Sequence, residues 1–212
     1  MPPQSTHFWL IRHALVDAEA RKTLYGIQDV PICEGTMAAQ GTAYAELGRR
    51  LPRPARWHIT PLTRTLRTAQ AIFAAGYPEQ VLAVAPDFIE QSFGRLQGLD
   101  SAGVPQHLAL PKHDFWPASH AERPQDGESF EDVMERVGVG LERLAAAHAG
   151  EDIVIVCHGG PIRAALAHVL RLGGDSALRL SVGNISLTRL ERRGQAWRVI
   201  SANETVEGVP AL

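Results

Sequence analysis

Two short segments, Ile11-Arg12-His13-Ala14 and Cys157-His158-Gly159-Gly160, carry residue types suited to phosphate chemistry. Arginine offers a permanent planar fork for phosphate oxygens, and a neutral imidazole can attack phosphorus. The two histidines lie 145 residues apart, so only a fold that returns the chain to the same edge of a sheet can make them one site. The local pattern points to such a fold. His7-Phe8-Trp9-Leu10-Ile11 is an apolar run of strand length, and Asp152 to Cys157 reads as a strand buried on both faces, as in parallel sheets. Each histidine then falls just past the carboxyl end of a strand, where open α/β sheets gather their ligands.

The elements that must position these residues alternate between strands and amphipathic helices. Residues 14 to 35 form a loop; Met37, Tyr44, Leu47 and Leu51 then mark one face of a helix ending before Pro52. A short strand over Arg56 to Ile59 precedes Thr60-Pro61-Leu62, read as an N-cap with proline at the first helical position, and a helix through about Ala75. Val81 to Ala85 is a third strand. Residues 91 to 127 lack periodicity and form a loop-rich excursion expected to cover the pocket. Ser129 to Asp132 resembles a capping box ahead of an apolar stripe, Phe130, Val133, Met134, Val137, Leu141 and Leu144. After the strand at Val154 comes a helix entered at Pro161 and leaving at Gly173-Gly174, then a hairpin over Ile185 to Leu190 and Ala196 to Ile200. The expected architecture is an α/β domain: a three-layer α/β/α sandwich with a mostly parallel sheet, a single unit over residues 1–212.

Composition narrows the partners. With 45% hydrophobic residues, 21% charged residues and a net charge of −2, the chain can bury one substantial core and has no basic tract for nucleic acid or an anionic membrane. No 18-residue apolar span occurs, and Met1 to Thr6 lacks the basic and apolar regions of a signal peptide, so a cytoplasmic location is expected. The two cysteines, Cys33 and Cys157, form no disulfide framework, and no tight ligand spacing for a metal is present. His107, His113 and His120 read as exposed loop residues. Oligomeric state leaves no trace in these residues.

Four blocks converge on one sheet edge: Arg12-His13, Thr60-Pro61-Leu62-Thr63-Arg64, Glu90 with Phe93-Gly94, and His158-Gly159-Gly160. In this order and spacing they resemble the histidine phosphatase superfamily, in its phosphoglycerate-mutase-like branch. The resemblance runs from about residue 8 to residue 200. It implies a phosphohistidine mechanism without metal or cofactor. His13 would be the nucleophile, Arg12, Arg64 and His158 the ligands of the phosphoryl oxygens, and Glu90 the acid that protonates the leaving alkoxide and the base for water. Gly159 adds a backbone donor at a helix start. Gly159 also stands where the other large branch places an aspartate, which favours Glu90 as the acid.

Competing readings use the same residues. Arg67, one turn after Arg64, competes for its role. Cys157 to Arg163 fits Cys-x5-Arg, the phosphate loop of cysteine-dependent phosphatases, but Pro161 has no N–H to donate and Val156 stands where that pattern has histidine. A mutase would need further cations for a second phosphate group; Ser101 stands where the mutases place a lysine, so hydrolysis of a small organic phosphomonoester is favoured over mutase-type transfer. Tyr25-Gly26, Asp29-Val30-Pro31 and the Trp116 region are expected at the pocket mouth. A non-catalytic phospho-ligand-binding protein remains the alternative of a different class.

Overall fold

The computed structural model describes residues 5–206; the first four and last six residues of the expected 1–212 unit, including most of Met1 to Thr6, lie outside. Strands and helices follow in chain order as β1 (Ser5–Arg12), α1 (Glu34–Ala39), α2 (Gly41–Arg50), β2 (Arg56–Ile59), α3 (Thr63–Ala74), β3 (Leu82–Val84), α4 (Phe130–Ala147), β4 (Asp152–Cys157), α5 (Gly159–Leu170), α6 (Gly174–Leu178), β5 (Leu187–Arg193) and β6 (Ala196–Glu204). One six-stranded sheet runs β3-β2-β4-β1-β5-β6. β1 to β4 are mutually parallel, and the β5–β6 hairpin joins β1 antiparallel.

Side-chain alternation on the central strands builds a core on each face of the sheet. Ile153, Ile155 and Cys157 of β4 join Phe8 and Leu10 of β1 beneath α4 and α5, whereas Val154 and Val156 join Ile11 beneath α2 and α3. The observed layers therefore match the α/β/α expectation. α5 is buried over nine residues, from Gly159 to Ala167, because it is held between the sheet, α4 and α6. The capping box forms: Ser129 Oγ accepts from the Asp132 N–H, and Asp132 accepts from the Ser129 N–H at 2.7 Å.

Several local expectations are corrected. The helix marked by Met37 to Leu51 is two helices broken at Gln40. Thr60 is not the cap of α3. That place belongs to Leu62, and Asp29 satisfies the first turn instead, accepting from the Thr63 N–H at 2.9 Å and from its hydroxyl. Asp29 is therefore a helix support rather than a pocket wall. α5 begins at Gly159, two residues before Pro161, and ends on Arg171 in the left-handed region at φ 56°, which frees Gly173-Gly174 to start α6. His113 is buried against Asp175, 3.5 Å away, not exposed.

Candidate active site

Strand register brings the two histidines together. Arg12 and Cys157 are partners at the ends of β1 and β4, and the His13 N–H donates to the Cys157 carbonyl at 3.0 Å. The next side chain out of each strand is a histidine, and their ring centroids are 5.1 Å apart at 61°. Both rings are buried, at 2% and 0% exposure. Burial, followed by the positive fields of Arg64 and Arg12, holds His13 well below its ordinary 6.5; burial and Arg64 do the same to His158. Both are neutral at physiological pH. His13 Nδ1 lies 2.7 Å from the Ala14 carbonyl, which can only accept, so Nδ1 carries the proton and the Nε2 lone pair is free to attack.

His158 is fixed in the opposite tautomer. Arg64 Nε donates to its Nδ1 at 3.2 Å, so Nε2 bears the proton and donates to Thr60 Oγ1 at 2.9 Å. Thr60 thus serves the site directly, a role hidden behind its expected capping function. Binding of a phosphoryl oxygen by His158 requires that N–H to turn from Thr60.

Arg64 is 0% exposed, whereas its competitor Arg67 pairs with Glu34 on the outside of α3. The Arg64 fork also donates to the carbonyls of Gln28 (2.8 Å) and Gly26 (2.7 Å), leaving two of its five N–H groups for an anion. Burial lowers the guanidinium from its ordinary value, with Glu90 the largest opposing influence; it remains a cation. Gly26 is required where the carbonyl approaches: at φ 43° a Cβ would lie 2.5 Å from Gln97 Oε1 and 2.6 Å from the Gln91 carbonyl.

Arg12 donates to the Val182 carbonyl, while its Nε is buried with no hydrogen-bond partner among the described residues. Asn184 Nδ2 donates to the His13 carbonyl at 2.8 Å, and Ile185 N–H donates to the Arg12 carbonyl at 2.9 Å. Ile185 adopts φ 49°, a left-handed conformation foreign to a β-branched residue, so strain of about 1–3 kcal/mol accompanies the support of β1's end. Nothing in the residues around Asn184 announced this role.

Glu90 is 8% exposed and lines one cavity of about 340 Å³ with Arg12, Gly159, Tyr25, Trp116 and Arg163. Its carboxylate accepts from the Gln91 N–H at 3.0 Å and from the Gly160 N–H at 3.4 Å. A Cβ on Gly160 would overlap Glu90 Oε1, so the second glycine of the motif makes room for the carboxylate. Arg136 of α4 braces this segment, donating to the carbonyls of Asp87 and Glu90 and to the Glu128 carboxylate. Arg163 stacks on Trp116, 5.0 Å from the ring centre, and donates to the Leu180 carbonyl; burial first and then Arg12 lower it to about 10. Cys157 is 0% exposed, packed in the core, and burial pushes its thiol up, which is opposite to what a nucleophilic cysteine needs. The Cys-x5-Arg reading fails on that geometry.

Residues 8–205 match the family model of the histidine phosphatase superfamily, branch 1. The chain belongs to that superfamily. A metal-independent phosphoserine phosphatase of Arabidopsis thaliana is 29% identical over 197 residues, covering 92% of this chain and 80% of that protein. The bifunctional protein Rv2228c of Mycobacterium tuberculosis is 28% identical over 186 residues, 88% of this chain; the chain spans 50% of that relative's length. Among solved structures, a mycobacterial glucosyl-3-phosphoglycerate phosphatase superposes with a TM-score of 0.77 and 25% identity, over 95% of this chain and 100% of that one. Among the described residues no helix is long and apolar enough to cross a membrane, and no group of three or more His, Cys, Asp or Glu side chains could hold a metal ion.

Proposed function

We propose that residues 1–212 act as one phosphatase unit that hydrolyses a small organic phosphomonoester through a phosphohistidine on His13. The observation that carries this reading is the clustering of a neutral, Nδ1-protonated His13 with His158, Arg12 and Arg64, where Arg12 also lines a cavity shared with Glu90 and Gly159. His13 Nε2 attacks phosphorus, the bond to the leaving oxygen breaks, and protonated Glu90 gives its proton to the alkoxide. Water then loses a proton to Glu90 and attacks the phosphohistidine, releasing inorganic phosphate and restoring neutral His13. Arg12 and Arg64 offset the charge on the transferring group, and His158 and Gly159 complete its cradle.

Two relatives support hydrolysis of metabolite-sized esters: one is named for phosphoserine and one for glucosyl-3-phosphoglycerate. The two free cysteines, one buried, agree with a cytoplasmic location. The test is hydrolysis of p-nitrophenyl phosphate and a panel of phosphometabolites in chelator-treated buffer. Turnover lost in His13→Ala supports the reading. Tight binding of phosphate esters without turnover by the wild type would instead make the chain a phospho-ligand-binding protein.

A further inference from the structure

The reaction cavity does not end at Arg163 and Trp116. A second compartment of about 310 Å³ adjoins it, and the two share Leu24, Ser101, Phe115, Trp116 and Pro117 as common walls. The outer compartment adds Val104, Lys112 and Asp114. Leu24, Val104, Phe115, Trp116 and Pro117 make most of its wall, and the formal charges of Lys112 and Asp114 cancel, so it offers little to a second anionic group.

The floor of this compartment is firm. Leu24 and Val104 belong to a satellite core with Phe93 and Leu96, against which Leu99, Leu108 and Trp116 pack. Trp116 is pinned by Gln91 Oε1, which accepts its indole N–H at 2.9 Å, and it leans on Phe93 and Phe130 at 6.3 and 6.1 Å between ring centres. Phe115 differs: it is 63% exposed, and its ring pairs with that of His113, at 5.9 Å. A large apolar side chain held open at the rim of a rigid apolar compartment gains by covering an apolar ligand.

We propose that the outer compartment receives the organic body of the substrate, that this body is flat and apolar, and that Phe115 determines specificity by closing over it. The inference rests on the phosphatase reading above. It gives the favoured substrate class as phosphomonoesters of uncharged alcohols carrying an aryl or similarly flat group, ahead of esters of compact polar alcohols.

A matched pair with the same primary-alkyl leaving oxygen, 3-phenylpropyl phosphate and propyl phosphate, isolates the effect of the body from the chemistry. The wild type should favour the phenyl ester in kcat/KM by about tenfold or more, chiefly through KM. Phe115→Ala and Phe115→Asp should bring the ratio to within about threefold, and Phe115→Tyr should largely restore it. A wild-type ratio near one, or a ratio that both Phe115→Ala and Phe115→Asp leave unchanged, overturns the proposal. Failure of the phosphatase reading looks different: no ester is turned over, p-nitrophenyl phosphate included. Calorimetric binding of both esters to His13→Ala, with and without Phe115→Ala, then decides the compartment's role independently, equal affinities contradicting it.

Discussion

The floor of the site and its cover are built on different principles. On the floor, His13, His158, Arg12 and Arg64 project from strand ends and the start of a helix, are buried or nearly so, and are held by backbone carbonyls and by one another. The cover, residues 91 to 127, holds only short 3-10 turns and loop, and it presents Phe115 to solvent. Fixed geometry suits a phosphoryl group that every substrate shares. A firm apolar wall with one exposed aromatic at its rim suits the part of the substrate that differs.

Substitutions sharpen or break that contrast. His13→Ala should remove turnover of every ester by at least about 10³-fold, read by steady-state kinetics on p-nitrophenyl phosphate and the metabolite panel. Arg64→Met should lower kcat/KM by about a hundredfold, or ~3 kcal/mol, and by the same factor on all esters. A loss that varied with the leaving group would place Arg64 among the cover's determinants and break the contrast. Gly160→Ala forces its methyl group against Glu90 at the junction of the two regions; kcat should fall about tenfold to a hundredfold, most for esters with poor leaving groups, which depend on the acid. Cys157→Ser should keep most activity while destabilising the fold by about 1–3 kcal/mol in urea unfolding, because a hydroxyl replaces a thiol in an apolar core.

The floor was largely legible in the sequence because a parallel-strand register carries residues adjacent to strand ends to one place. Arg12-His13 and His158 needed only two apolar runs to be located. Thr60 was visible but misassigned, since the same side chain can cap a helix or accept from an imidazole, and Asp29 took the capping role from another loop. Asn184, Arg136 and Gln91 act through contacts made from loops or a helix face to partners distant in sequence, and no periodicity marks such contacts. The cover's boundaries were legible as a loss of pattern. Its walls were only half so: Tyr25 and Trp116 line the cavity as expected, but His113 is buried by a helix, α6, that is too short for periodicity to reveal.

The last prediction concerns stability against pH. His58, buried on β2, is held at about 4 by burial and then by His148 and Arg143. The unfolded chain takes up that proton near the ordinary 6.5 and the folded chain does not, so stability is greatest above 6.5 and declines as the pH falls toward 4. His13 and His158 add with the same sign. The decline is at most about 1.4 kcal/mol per pH unit for each such group. Urea midpoints at pH 7 and pH 5 should show it, and His58→Asn should make it shallower; an identical slope in that variant would remove His58 from the account.

The central claim is the phosphohistidine on His13. Rapid acid-free quenching of the enzyme during turnover of a ³²P-labelled ester should trap one phosphoryl group per chain that survives alkali, is lost in acid, maps to His13 and is absent from His13→Ala. Label that withstands acid, persists in His13→Ala, or maps to Cys157 would contradict it.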